Sequence, residues 1–246
     1  MRRDPARRMI RFGSGLLLAG LLGLPVVPGA EAGDVVGVVK LAGDVPPVTW
    51  LRPAVDHTVC GSEPRRSEAL VVSSSGGVRN AVVFLGDERM EGWRSSTVFR
   101  LDQRRCTFVP RVLIVPPGST VEVLNSDRIL HNFHTLSRLN PPRNLAQPKF
   151  ARPLRVTFEQ PEVVQVKCDL HGEGFMRAWI VVASHPYYAL TDEEGQFRLP
   201  DVPRGPHILE VWHEALGTRR LPVTAAESGE VAVTVTFAIA EGGSVK

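Results

Sequence analysis

Three side chains that can bind a soft metal ion lie close together in this sequence. Cys168, His171 and Met176 supply a thiolate, an imidazole and a thioether, and His131 supplies a second imidazole upstream. Two histidines, one cysteine and a weak axial methionine are the ligand set of a type 1 copper site, which transfers single electrons. The residue types and their order therefore predict a copper site made of His131, Cys168, His171 and Met176.

Short strands flank these side chains and would position them. Apolar runs at 163–167 and 178–182 border the loop that carries Cys168, and the run 120–125 precedes His131. Apolar residues recur near a period of two, and turn residues separate the runs. The pattern predicts an all-β antiparallel sandwich, in which sheet hydrogen bonds hold both ends of the ligand loop.

The same signals place strands and loops elsewhere in the chain. Further strands are predicted at 35–41 and 207–213. A hairpin is predicted to join 69–72 to 81–85, because serine and glycine fill the loop between them. The segment 138–153 is rich in proline, which favours an irregular loop.

The order of the motifs resembles the plastocyanin-type cupredoxin pattern over about residues 70–180. The matching motifs are Val115-Pro-Pro-Gly118-Ser-Thr-Val121, Asn125-Ser-Asp127, His131-Asn132 and Cys168-x-x-His171-x-x-x-x-Met176. The resemblance implies a Greek-key sandwich with one type 1 copper ion, held by His131, Cys168, His171 and Met176. It also implies that Asn132 forms hydrogen bonds between the ligand loops near the thiolate. The implied function is one-electron transfer between redox protein partners, with no catalytic residues and no enzyme activity.

The last part of the chain has a different pattern. Its turn at 191–195 and the strand that follows are similar to carboxypeptidase regulatory-like, transthyretin-like sandwiches. That resemblance implies a second, smaller β-sandwich over 185–246 and carries no catalytic residue. The cupredoxin-like domain would then span 33–184, with an N-terminal extension at 33–68.

The N-terminus has the features of an export signal. Basic residues come first, an apolar run follows at 12–27, and Ala30-Glu31-Ala32 fits a cleavage site. Residues 1–32 hold five of the 29 basic and two of the 26 acidic side chains, so the rest of the chain carries 24 of each. A neutral mature chain argues against nucleic-acid binding. We therefore expect a periplasmic or otherwise extracytoplasmic protein that does not span a membrane after signal cleavage.

Three cysteines in an exported chain suit one disulfide and one free thiol. Cys168 belongs to the ligand motif, which leaves Cys60 and Cys106 as the expected disulfide pair. An oxidising compartment would maintain such a bond as a structural link.

Other interpretations stay open on the sequence alone. The copper ligands could serve copper binding or delivery without electron transfer, or be vestigial in a cell-envelope scaffold protein. A thiol enzyme that uses Cys168 and His171 is disfavoured, because no orienting acid is apparent beside them. Taken singly, His131 fits a turn, Met176 fits a core, and Cys168 fits a buried inert thiol. His134 is either an alternative ligand or an exposed loop residue.

Overall fold

Strands are the dominant regular structure of the described chain. The computed structural model describes residues 32–172 and 174–239, so almost all of the predicted signal at 1–32 lies outside the described residues. Within these ranges the single helix is α1 (His57–Cys60). The strands are β1 (Ala32–Ala42), β2 (Trp50–Leu51), β3 (Arg65–Arg66), β4 (Val82–Leu85), β5 (Val98–Gln103), β6 (Phe108–Val109), β7 (Val112–Val115), β8 (Thr120–Asn125), β9 (His131–Thr135), β10 (Asn144–Gln147), β11 (Leu154–Thr157), β12 (Val163–Lys167), β13 (Arg177–Val182), β14 (Tyr188–Leu190), β15 (Gln196–Pro203), β16 (Gly205–His213), β17 (Gly217–Ala225) and β18 (Glu230–Ala238). The prediction of an all-β fold is confirmed, and no helix in the described ranges is long and apolar enough to cross a membrane.

The first sandwich packs the sheet β10-β9-β12-β13-β7 against the sheet β11-β8-β5-β6. Alternate residues of a strand point between the sheets, as in β12, where Val164 and Val166 are buried and Val163 is exposed. The core that they join includes Leu101 and Phe133. Full burial of an apolar side chain of this kind contributes roughly 1.5–3 kcal/mol. The shared core therefore holds the two sheets together and fixes the strand ends that carry the predicted ligands.

The second sandwich is built from both ends of the described chain. Its sheets are β15-β1-β18 and β14-β4-β16-β17, and they enclose a separate core that includes Val39, Leu209 and Phe237. This pairing corrects the predicted boundary at residue 185. Strands β1 and β4 precede that boundary, yet they lie centrally in the sheets formed with the later strands. The sequence of a strand shows its period but does not specify which sheet it joins.

Three local features differ from the expectations. The sandwiches are not purely antiparallel, because β7 and β13, β5 and β8, and β1 and β18 pair in parallel. The expected hairpin of 69–72 with 81–85 is replaced by a single bridge from Val72 to Val78, because β4 pairs with β14 and β16. Within the expected loop 138–153, β10 pairs with β9, since the prolines flank this strand without falling inside it.

Buried and half-buried side chains connect the two sandwiches. Arg111, just before β7, forms a bidentate pair with Glu214, just after β16, with N–O distances of 2.6 and 2.8 Å. The two side chains are 9% and 4% exposed. The rings of Trp179 in β13 and Trp212 in β16 meet edge to face with 5.0 Å between their centroids. The sandwiches thus share a polar and an aromatic contact.

Candidate metal centre

Three of the predicted ligands converge where β9 begins and β12 ends. His131 is the first residue of β9, and Cys168 directly follows β12, its antiparallel neighbour. Nδ1 of His131 lies 3.1 Å from Nδ1 of His171, and the Cys168 sulfur lies 3.8 and 3.4 Å from these two nitrogens. All three side chains are buried. Two nitrogens and one sulfur therefore face a common point, as a trigonal copper site requires.

Backbone hydrogen bonds place Met176 next to this group. Its carbonyl accepts the N–H of Cys168 at 3.2 Å, and its own N–H donates to the carbonyl of Gly172 at 3.1 Å. Gly172 has φ of 83°, a left-handed conformation that glycine adopts without steric cost. These two hydrogen bonds close the loop between Cys168 and Met176. The side chain of Met176 is fully buried in the core of the first sandwich.

A carboxylate lies on the far side of each imidazole. Nε2 of His131 is 2.9 Å from Oδ2 of Asp127, and Nε2 of His171 is 3.0 Å from Oδ2 of Asp56. An Nε2–H that donates to a carboxylate leaves the Nδ1 lone pair available for a metal ion. Both Nδ1 atoms face the Cys168 sulfur, so this donor set fits a copper ion.

The loop between β5 and β6 holds Asp127 in place. The carboxylate accepts hydrogen bonds from the backbone N–H groups of Arg105 and Cys106, the latter at 2.7 Å. Burial opposes the charge of this group, but the hydrogen bonds from His131 and the two N–H groups lower the pKa of Asp127. A negative charge is therefore maintained beside His131.

Cys168 and His131 shift each other's pKa in opposite directions. Burial alone raises the pKa of the Cys168 thiol, but hydrogen bonds from His131 and His171 outweigh it and lower that pKa to about 6. Burial alone lowers the pKa of His131, but hydrogen bonds with Asp127 and Cys168 raise it to about 9. A metal-free site therefore holds a thiolate and an imidazolium that stabilise each other at neutral pH.

Asn132 connects β9 to the loop that carries Cys168. Its Oδ1 accepts the backbone N–H of Asp169 at 2.7 Å, and its Nδ2 donates to the Asp169 carboxylate at 2.8 Å. Nδ1 of His134 lies 2.9 Å from the same carboxylate, outside the group formed by the three converging ligands. Asn132, the residue after His131, is therefore hydrogen-bonded to Asp169, the residue after Cys168.

The expected cysteine pair lies against the candidate ligands. A disulfide joins Cys60 to Cys106, and Cys168 is the free cysteine. The sulfur atoms of Cys60 and Cys106 lie within 4.8 Å of a ring nitrogen of His171. Because Asp56 directly precedes α1 and Cys60 ends it, the disulfide also anchors the segment that brings this carboxylate to His171.

Sequence reasoning missed the two carboxylates and the position of the disulfide. Asp127 belongs to the Asn125-Ser-Asp127 motif, and its place four residues before His131 was a usable signal. Asp56 lies 115 residues from His171 along the chain, in a segment without any metal-site pattern. No sequence signal pointed to that contact.

Several solved structures resemble part of this chain, although no protein-family model and no curated protein sequence matches it. A pseudoazurin from Sinorhizobium meliltoi is 24% identical over 35% of this chain and 74% of its own, with a TM-score of 0.30. A pseudoazurin from Methylobacterium extorquens AM1 is 21% identical over 36% of this chain and 76% of its own, with a TM-score of 0.31. A copper-containing nitrite reductase from Thermus scotoductus SA-01 is 23% identical over 41% of this chain and 25% of its own, with a TM-score of 0.30. At these TM-scores the likenesses do not establish a family or a function for this chain.

Proposed function

We propose that this protein is an extracytoplasmic type 1 copper protein that carries single electrons between redox protein partners. The observation that carries the proposal is the convergence of two Nδ1 atoms and one sulfur, 3.1 to 3.8 Å apart, at a buried point. His131, Cys168, His171 and Met176 would hold the copper ion. The bound ion would supply a one-electron change between Cu(I) and Cu(II).

The chain's own contacts prepare these side chains for that role. The thiolate of Cys168 is favoured at neutral pH because the pKa is lowered to about 6. Asp127 and Asp56 fix the orientation of the two imidazole rings. Asn132 and the backbone bond between Cys168 and Met176 restrict the ligand loop. A site held from several sides needs little rearrangement when its charge changes, which favours rapid electron transfer.

A visible absorption spectrum of the Cu(II)-loaded chain tests this function. An intense thiolate-to-copper band should be present in the wild type and absent in Cys168→Ser, because serine provides no thiolate. His131→Ala should lose the band, whereas the matched variant His134→Ala should keep it, since His134 contacts Asp169 and not the ligand group. A wild-type protein that binds no copper, or binds it without the band, would contradict the proposal.

A second candidate function is copper binding or delivery without electron transfer. The burial of His131 and His171, which are 0% and 1% exposed, favours this function. So does the contact of Asp56 with Nε2 of His171, the ring nitrogen that faces away from Cys168. A ligand ring that is covered by the chain itself offers no edge on which a partner can dock directly. Voltammetry separates the two functions: a reversible one-electron wave supports electron transfer, and stoichiometric Cu(I) retention without such a wave supports delivery.

A further inference from the structure

The group around the candidate copper site contains more soft ligands than one type 1 site uses. Besides Cys168 and the two histidines, it includes the sulfurs of Cys60 and Cys106, within 4.8 Å of a ring nitrogen of His171. Cys60 is 9% exposed and Cys106 is fully buried. In the disulfide the two sulfurs are bonded to each other, whereas as thiols they would add two ligands to the group.

The geometry points to Cys60, Cys106 and His171 as a second Cu(I) site that forms only when the disulfide is reduced. Thiolates are soft ligands that select Cu(I), and imidazole also binds copper. The Cα atoms of the two cysteines are 5.2 Å apart, which keeps both sulfurs within reach of one ion. His171 would serve both ions as an imidazolate: the Nε2 proton would leave to solvent through the half-exposed carboxylate of Asp56, and each ring nitrogen would then have a lone pair for one ion. The inference rests on the proposed function only through this shared histidine.

Arg65 fixes the backbone beside the disulfide. Its guanidinium donates hydrogen bonds to the backbone carbonyls of Cys106 at 2.5 Å and Phe175 at 3.1 Å. These bonds connect the segment that carries Cys106 to the residue before Met176.

The segment that carries Cys60 lies at the surface. His57, Thr58 and Gly61, which surround Cys60 in sequence, are exposed. A dithiol reductant attacks one sulfur to form a mixed disulfide, which its second thiol then resolves. Two electrons and two protons pass to the sulfurs of Cys60 and Cys106, and the donor leaves as a disulfide. Each new thiol then releases its proton on binding Cu(I).

Copper stoichiometry tests the second site. The full chain is titrated with Cu(I) against a chromogenic Cu(I) chelator, with the disulfide intact and after reduction by a phosphine, and thiols are counted in a copper-free sample. We expect one Cu(I) per chain before reduction and two after it. Cys60→Ala/Cys106→Ala should bind no more than one under both conditions, and Cys168→Ser should bind one only after reduction.

The outcomes separate this inference from the proposed function. One Cu(I) in both states of the wild type would overturn the second site and leave the type 1 site standing. No Cu(I) before reduction and one after it would contradict the type 1 site and retain the second. Two ions in the reduced double variant would also overturn the inference, because they would bind elsewhere. X-ray absorption of the wild type, combined with its copper stoichiometry, needs no variant: the copper-bound thiolates per chain should increase from one to three after reduction, and an unchanged number would refute the second site.

Discussion

The carboxylate of Asp127 lies 2.9 Å from Nε2 of His131, on the side of the ring that faces away from the Cys168 sulfur. The same carboxylate accepts the backbone N–H of Cys106 at 2.7 Å, so one buried side chain joins a ligand to the disulfide. The position of His131 therefore depends on the loop that Cys60 secures through Cys106.

Asp127→Asn should weaken copper binding by about 10- to 100-fold, because the partner that orients a ligating histidine contributes this much to metal affinity. Competition with a chromogenic chelator measures the effect. Asp102→Asn is the matched control, since Asp102 accepts a hydrogen bond from Ser126, the exposed residue after β8, and not from a ligand. Equal affinities in the wild type and Asp127→Asn would show that the carboxylate does not orient the ring.

Copper affinity should fall as the pH falls below about 9. In the metal-free chain the pKa of His131 is raised to about 9, so copper must displace a proton from this ring at any lower pH. The pKa of Cys168 is lowered to about 6, so a second proton must leave below that pH. The apparent dissociation constant should therefore rise about tenfold per pH unit between the two values and more steeply below about pH 6. Chelator competition across this range measures the slope, and a flat profile from pH 6 to 9 would contradict the assignment.

Asp56→Ala should have a smaller effect than Asp127→Asn. The side chain of Asp56 is 45% exposed, so water can replace its hydrogen bond to Nε2 of His171. We expect a loss of copper affinity of no more than about tenfold, at the lower end of the usual range for such partners. We also expect faster removal of copper by a chelator in stopped-flow measurements, because the outer edge of the ring is uncovered. A loss larger than that of Asp127→Asn would mean that Asp56 is the principal support of the site.

Arg111→Met should destabilise the fold by about 3–5 kcal/mol, because it leaves the carboxylate of Glu214 buried without its partner. Arg94→Met is the matched control: its pair with Glu159 is exposed on both sides, and such pairs contribute about 0–1 kcal/mol. Urea denaturation of the copper-free chain measures both free energies of unfolding. Arg111→Met/Glu214→Leu should recover part of the loss, since it removes the uncompensated charge. Equal losses for Arg111→Met and Arg94→Met would show that the buried pair does not stabilise the contact between the sandwiches.

The sequence predicted what is local and missed what depends on distant pairing. The run 163–167 shows the period of a strand, and the structure has a strand there, so the loop after it was predicted from neighbouring residues alone. By contrast, β1 was recognised as a strand, but its partner β18 lies almost at the other end of the chain. Asp56 was missed for the same reason, because its contact with His171 is made by folding and leaves no pattern in either segment.

The parallel pairing of β1 with β18 bears on the order in which the chain can assemble. Residues 34–42 align with residues 230–238, so the sheet around β1 closes only after the last of the described strands has been synthesised. The strands β5 to β13, which carry His131 and border Cys168, are complete at residue 182 and pair among themselves. The first sandwich can therefore form before the second. Until the later strands are made, β1 and β4 have unpaired edges, and unpaired edges promote association with other chains. Topologically, the first sandwich is an insertion within the second sandwich, whose sheets close only after the first is complete.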